Sequence, residues 1–319
     1  MKHPRIVCVS ANPALDRRIR LSSLTTGAVN RARAAEALPG GKAVHVAMTA
    51  RALGAQPVWV GFLGGAVGEE CAVELKKLDI EVIPVMTKAA TRLNFELLDD
   101  AGNVTEVLEP GGTPDSSERE RMLHVLTQGL RRKWKGAPVV ISGSLPRDVP
   151  PSFYASLIAL ARSSGSEVLL DTSGEALATG LEARPDFVKP NRDEAESLLG
   201  RSLRDVQSAS LAARELIERG AKSAAITLGS QGLVWLESGH GPAWTARPPG
   251  GRCDSAVGCG DATLGGFAFA AAQGITREEA LRLATACGAA NCVARWPGQI
   301  SLKTVQSLIP RVEVRHLAK

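Results

Sequence analysis

Ala256-Val257-Gly258-Cys259-Gly260-Asp261-Ala262-Thr263-Leu264-Gly265-Gly266 is the segment from which the rest of the chain is best read. Two glycines around Cys259 lead directly into an apolar run that continues to Gln273. Glycine lets a backbone approach an anion without a Cβ clash. N–H groups at a helix N-terminus, with the helix dipole behind them, form an anion site. Asp261 then falls in the first helical turn. There its carboxylate can take a proton from an attacking hydroxyl, or, in the plainer reading, cap the helix. The four residues Gly258–Asp261 do not by themselves decide between the two.

The segments before this one supply the fold. Short β-branched runs at 6–10, 57–62, 81–85, 138–142, 167–171, 187–188 and 223–228 alternate with helical patterns at 42–53, 68–78, 116–134, 151–163, 192–199 and 205–219. Three more helical patterns follow at 261–273, 276–294 and 302–309. This alternation predicts an α/β fold, a doubly wound, mostly parallel sheet with helices on both faces. The small residues in 268–272 and 284–290 allow close approach to a sheet or a ligand. Two segments, about 17–36 and 91–109, instead alternate polar and apolar residues. In the second, Asp99-Asp100-Ala101-Gly102-Asn103 reads as a hairpin turn. Both are expected to form a small antiparallel flap over the main sheet, within one domain spanning 1–319.

Bulk properties narrow the function. The chain has 319 residues, 44% apolar and 22% charged, with a formal net charge of +5. Anionic small molecules suit such a charge. The basic residues are dispersed, and the densest run, Arg131 to Lys135, reads as a solvated helix end, so no nucleic acid is expected. The six cysteines form no CxxC pair, which leaves zinc and redox motifs without support. With no signal-peptide pattern and no apolar stretch near the ~18 residues of a membrane span, a cytoplasmic setting without a membrane partner is the expectation.

Four further motifs stand out, and several fall where strands end, the edge at which open α/β sheets bind ligands. Leu38-Pro39-Gly40-Gly41-Lys42-Ala43-Val44-His45 opens a helix with a glycine pair. It can bring backbone close to a sugar ring and Lys42 to a phosphate, or be a turn followed by an exposed lysine; it is not a P-loop. Phe187-Val188-Lys189-Pro190-Asn191-Arg192-Asp193-Glu194 sets Asn191 and Glu194 on one helical face. They can order a Mg²⁺ through its waters, though on spacing alone a capping box is the better reading. Thr227-Leu228-Gly229-Ser230-Gln231-Gly232 is either a nucleotide-phosphate turn or a simple hairpin. Ser142-Gly143-Ser144-Leu145-Pro146 also closes a strand.

Together with Asn12-Pro13-Ala14-Leu15-Asp16 and Thr91-Arg92-Leu93-Asn94, these motifs resemble, nearly end to end and in order, the ribokinase/phosphofructokinase-B family of sugar kinases. Several are most similar to its sugar-phosphate branch, the 1-phosphofructokinases and tagatose-6-phosphate kinases. The resemblance implies ATP and Mg²⁺ as cofactors and a hexose phosphate as acceptor. It implies Asp261 as base, with the N–H groups of Gly258, Cys259 and Gly260 as anion hole. Asp16 and Gly41, with Gly40, His45 and Ser142 beside them, would contact the sugar, and Lys42 and Arg92 its phosphate. Asn191 and Glu194 would hold the metal's water network. Lys189, Thr227, Gly229 and Gly232 would lie by the nucleotide, with Asn291 near the adenine. A β-sheet lid that forms a homodimer interface is also implied.

Three positions depart from the family pattern. Ala43 and His45 stand where it has glycine and asparagine, which alters the sugar pocket, and Cys259 replaces an alanine. A kinase of an unphosphorylated sugar or nucleoside, and a sugar-phosphate sensor without turnover, stay open. Two pocket cations weigh against the first and an intact Asp261 against the second. A serine hydrolase fares worst, since no GxSxG occurs.

Overall fold

Strand β1 (Arg5–Ser10) puts Ile6 and Cys8 on one face and Val7 and Val9 on the other, all four fully buried. A strand apolar on both faces belongs in the middle of a parallel sheet. The computed structural model, which describes residues 3–237 and 241–317, places it there. The first half of the chain continues as β2 (Ala14–Arg20), β3 (Ala34–Gly40), α1 (Lys42–Ala52), β4 (Gln56–Leu63), α2 (Gly65–Lys77), β5 (Glu81–Met86), β6 (Arg92–Leu98), β7 (Val104–Leu108), α3 (Ser116–Arg131) and β8 (Val139–Ser142). There follow α4 (Ser152–Ser163), β9 (Val168–Asp171), α5 (Gly174–Glu182), β10 (Phe187–Val188), α6 (Arg192–Leu199), α7 (Val206–Glu218), β11 (Ser223–Thr227), β12 (Leu233–Glu237), β13 (Trp244–Arg247), α8 (Cys259–Gln273), α9 (Arg277–Asn291), α10 (Leu302–Leu308) and β14 (Glu313–His316).

The main sheet runs β14-β13-β12-β11-β10-β9-β8-β1-β4-β5. From β5 to β11 every pairing is parallel, and β12, β13 and β14 close one side antiparallel. The strand order reverses between β1 and β8, so a crevice opens at their carboxyl ends. One face packs Met122, Leu126, Leu157, Ile158 and Leu216 onto Val7, Val9 and Ile141. The other packs Val44, Ala47, Leu264, Leu281 and Ala284 onto Ile6, Cys8 and Val140. No described helix is long and apolar enough to cross a membrane.

Helix α8 is wedged between α1 and α9 by its glycines. A Cβ on Gly265 would lie 2.6 Å from Thr49 Cγ2, and one on Gly266 would lie 2.6 Å from Ala284 Cα. The small residues of this region therefore bring helix to helix, and so fix the depth at which the α8 N-terminus meets the crevice.

The small sheet has the order β3-β2-β6-β7. The β6–β7 hairpin is antiparallel as expected, its turn closed by Asp99 accepting from the Asn103 N–H at 2.9 Å. The expected all-antiparallel flap needs correction, because β2 and β6 pair in parallel. Both follow parallel strands of the main sheet, β1 and β5, and leave its carboxyl edge in the same direction. The sheet also reaches further than 17–36. It begins at Ala14, paired with Gly40, and so includes Asp16. Helix α5 and strands β12–β14 were not anticipated. They have nine residues or fewer, too short for periodicity to declare itself.

Filling the α8–α1 contact should cost stability. Gly265→Ala is expected to lower unfolding free energy by about 1–3 kcal/mol through overpacking, whereas Gly250→Ala, with nothing within 4 Å, should stay within ~0.5 kcal/mol. Urea melts of the two variants beside the parent chain check this.

Candidate active site

The crevice is a cleft of about 1340 Å³, floored by the carboxyl ends of the main sheet and bordered by the small one. Of the residues singled out from sequence, all but Gly40, Ser142 and Asn291 line it. The cleft thus collects motifs scattered from Asp16 to Asp261.

Asp261 does not cap its helix. Gly258, at φ 77°, is the N-cap of α8 and no side chain caps that end. The Asp261 carboxylate turns instead to His45, whose Nδ1 lies 2.7 Å from Oδ2. On the other side of the ring, Nε2 lies 3.5 Å from Asp16 Oδ2. All three side chains are largely buried. Burial opposes a charge on His45, but hydrogen bonds to Asp16 and Asp261 outweigh it and raise its pKa to about 10. Burial likewise opposes the Asp261 charge. The His45 hydrogen bond and nearby Lys42 and Lys189 outweigh that too, and hold its pKa below the usual value. The arrangement is therefore an imidazolium between two carboxylates, one oxygen of Asp261 being taken and the other left for a ligand.

The anion hole differs in detail from expectation. The Cys259 N–H donates to Ala256 O at 3.2 Å and is spoken for. The N–H groups of Gly258 and Gly260 meet no protein acceptor among the described residues. Lys189 reaches the same turn, its Nζ 3.4 Å from where a Gly260 Cβ would lie. It pairs at 3.5 Å with Asp171, and both are buried. Lys42 lies 3.0 Å from Glu194 and 3.7 Å from Asp171. The Asp171 charge raises its pKa well above the ordinary lysine value. Lys42 thus sits between two carboxylates, one from the end of β9 and one from α6. Burial raises the pKa of Asp171. Sequence reading missed Asp171, whose one signal is an acidic residue closing the apolar strand Val168-Leu169-Leu170 at the carboxyl edge.

Asn191 and Glu194 do form the capping box: Asn191 Oδ1 accepts from the Glu194 N–H at 2.8 Å, and Glu194 Oε2 from the Asn191 N–H at 2.9 Å. Both still face the cleft. One carboxylate and one amide suit a Mg²⁺ that keeps most of its waters. No cage of three acidic, histidine or cysteine ligands occurs among the described residues.

At the small-sheet end, Asp16 Oδ1 accepts from Asn94 Nδ2 at 2.8 Å. Gly40 backs Asp16, and a Cβ there would come within 2.0 Å of its carboxyl carbon. Arg92 donates to the carbonyls of Glu109 and Asn12, and its Nε is buried without a partner. Ser142 is buried below the floor. Arg18 fixes this end: it is paired with Glu96 at 2.7 Å, stacked on Trp296 and bonded to the Arg295 carbonyl. At the far end, Gly229 and Gly232 shape the tight turn between β11 and β12, so the hairpin reading also holds. A Cβ on Gly232 would strike Ala246 O at 2.0 Å. Arg247 and Arg311, also missed, line this half. Asn291 does not reach it: its amide bridges Val257 O (2.7 Å) and the Gly298 N–H (2.8 Å), so it braces two loops instead of meeting a base.

A ribokinase-like sheet, a glycine turn heading a helix, a carboxylate held beside it and cations along one cleft define a carbohydrate kinase. The sequence comparisons agree. The model of the pfkB family carbohydrate kinases matches residues 6–300, and the chain belongs to that family. It is 36% identical over 285 residues to 1-phosphofructokinase of Rhodobacter capsulatus (88% of each chain) and 32% identical over 286 residues to that of Vibrio cholerae (89% of this chain, 88% of the other). The crystal structure of Escherichia coli phosphofructokinase-2 in complex with fructose-6-phosphate superposes with a TM-score of 0.87 at 28% identity, over 97% of this chain and 99% of that one.

The His45 bridge makes a pH prediction. Its folded pKa, about 10, exceeds the ordinary 6.5. The stability it contributes is therefore fully present below about pH 6.5 and lost as pH rises through about 10. The stability gap between the parent and His45→Asn should narrow over that window, and the ring should hold its proton by NMR well above pH 7. A ring titrating near 6.5 would remove the bridge.

Proposed function

We propose that the chain transfers the γ-phosphoryl group of ATP to a free hydroxyl of a hexose phosphate, giving the bisphosphate, with fructose 1-phosphate the first acceptor to test. The observation that carries this is Asp261, ionised beside the α8 N-terminus with one oxygen held by His45 and the other free. That free oxygen would take the hydroxyl proton as the acceptor oxygen attacks. The Gly258 and Gly260 N–H groups, Lys189 and Lys42 would offset the charge on the transferring group. Asn191 and Glu194 would hold a Mg²⁺ through water, which would neutralise the polyphosphate. Thr227, Gly229, Gly232, Arg247 and Arg311 would flank the nucleotide.

Arg92 favours a phosphorylated acceptor over a plain sugar or nucleoside. Its guanidinium has no ion-pair partner among the described residues and a buried unpartnered Nε. The names of the relatives point the same way. Tagatose 6-phosphate and fructose 6-phosphate remain in the acceptor panel because His45 stands where the family has asparagine. Val107 and Leu108 of the edge strand β7 are more than half exposed, which supports a homodimer through the small sheet.

ADP release with ATP and Mg²⁺ against the three hexose phosphates, fructose and ribose tests the reading. Turnover is expected on one hexose phosphate, and Asp261→Asn should lower kcat by ~10²–10⁴-fold. Binding without turnover on any acceptor would favour the sensor. In the same assay, Arg92→Ala should raise KM for the sugar phosphate by roughly 10–100-fold, the worth of one charged contact, with little effect on an unphosphorylated sugar.

A further inference from the structure

Three of the six cysteines meet on the cleft wall: Cys259 in the first turn of α8, Cys292 at the end of α9 and Cys253 on the loop before α8. The Cys259 and Cys292 sulfurs lie 3.5 Å apart. Their surroundings hold them in place. Asn291 Nδ2, bonded to Val257 O, is 3.5 Å from Cys259 Sγ. The N–H groups of Asp254 and Ser255 donate to the Cys292 carbonyl at 2.7 and 3.3 Å, which pins the Cys253 loop to the end of α9.

The other three thiols differ in kind. Cys8, Cys71 and Cys287 are buried in the core, and burial raises the pKa of each, that of Cys71 to about 12. Cys259 alone is shifted toward the thiolate, first by the hydrogen bond from Cys292 and despite burial. A helix N-terminus acts in the same direction. Cys292 is shifted the opposite way, chiefly by the same hydrogen bond, and keeps its proton. The pair thus sets a thiol shifted toward the thiolate beside one shifted away from it, both facing the cleft.

We propose that Cys259 and Cys292 are an oxidation site that forms a reversible disulfide with peroxides and thereby switches off the anion-binding turn. The Cys259 thiolate attacks the peroxide O–O bond, giving a sulfenic acid and, with one proton, an alcohol or water; sulfur loses two electrons and the peroxide gains them. Cys292 sulfur then attacks the sulfenic sulfur, its proton leaving with the hydroxyl as water, and an external dithiol reverses the bond by exchange. Closing 3.5 Å to the ~2.05 Å of a disulfide moves these sulfurs together by roughly 1.5 Å. The turn that moves with Cys259 carries the free N–H groups and Asp261. The loss of activity rests on the kinase reading, whereas the cross-link itself does not.

The test treats the purified protein with hydrogen peroxide, alkylates free thiols, maps disulfides by peptide mass spectrometry and assays turnover before and after dithiothreitol, with Cys292→Ser and Cys253→Ser in parallel. The parent and Cys253→Ser should both yield a Cys259–Cys292 peptide, with turnover lowered by roughly ten-fold or more, as a ~1 Å misplacement can cost, and restored by dithiothreitol. Cys292→Ser should keep its untreated activity, form no such peptide and lose activity to peroxide irreversibly. A link made by Cys253 instead, no link once exposed Cys253 is oxidised, or a link that leaves turnover unchanged would each overturn the proposal. Absent turnover before treatment, with the link still forming, would count against the kinase reading and not against the thiol pair.

Discussion

An imidazole shared by two buried carboxylates is the contact on which the cleft depends. Asp16 comes from the small sheet, Asp261 from α8 and His45 from α1, so one ring ties three separately folded elements together. Without a cation between them, two carboxylates would repel, and one would take up a proton. The imidazolium favours the charged form of Asp261. A second balance sits beside it, with Lys42 and Lys189 converging on Asp171. Arg92 has no such counter-charge among the described residues, and the glycine turn keeps two free N–H groups.

The physical basis of this precision is helix packing. Gly265 and Gly266 let α8 sink against α1 and α9, and only at that depth does the Asp261 side chain reach His45. Gly40 does the same for Asp16 from the other side. These glycines act by absent volume, and the polar contacts follow from how close the backbones come.

Much of this was legible in the sequence, and unevenly. Strand β10 and helix α6 fall on the expected residues, the helix because a capping box opens it and Gly200, in the left-handed conformation, ends it. The long helices and the parallel strands announce themselves by periodicity. Short elements such as α5, β13 and β14 do not, since their formation depends on neighbours already in place. In the site, motifs at the carboxyl ends of strands were readable because local chemistry marks them. The ion pair of Lys42 was not readable because its partner Glu194 lies 152 residues away. Asp171 looks like any acidic strand end, and Asn291 became a brace because two loops happen to flank its amide. What spacing cannot reveal is which side chain another will meet across the sheet.

The antiparallel margin of the main sheet has a consequence for how the chain folds. Thr245 and Arg315, neighbours across β13 and β14, are 70 residues apart in sequence. Helices α8, α9 and α10 occupy that interval, so the last strand can dock only after they have formed. Pairings of such long separation carry a high loop-closure cost and form slowly. The parallel centre, built from successive strand–helix units, can assemble while the later part of the chain is still being synthesised. The wall formed by α8 and α9 is then completed last, so a folding intermediate would present a finished sheet and half a cleft.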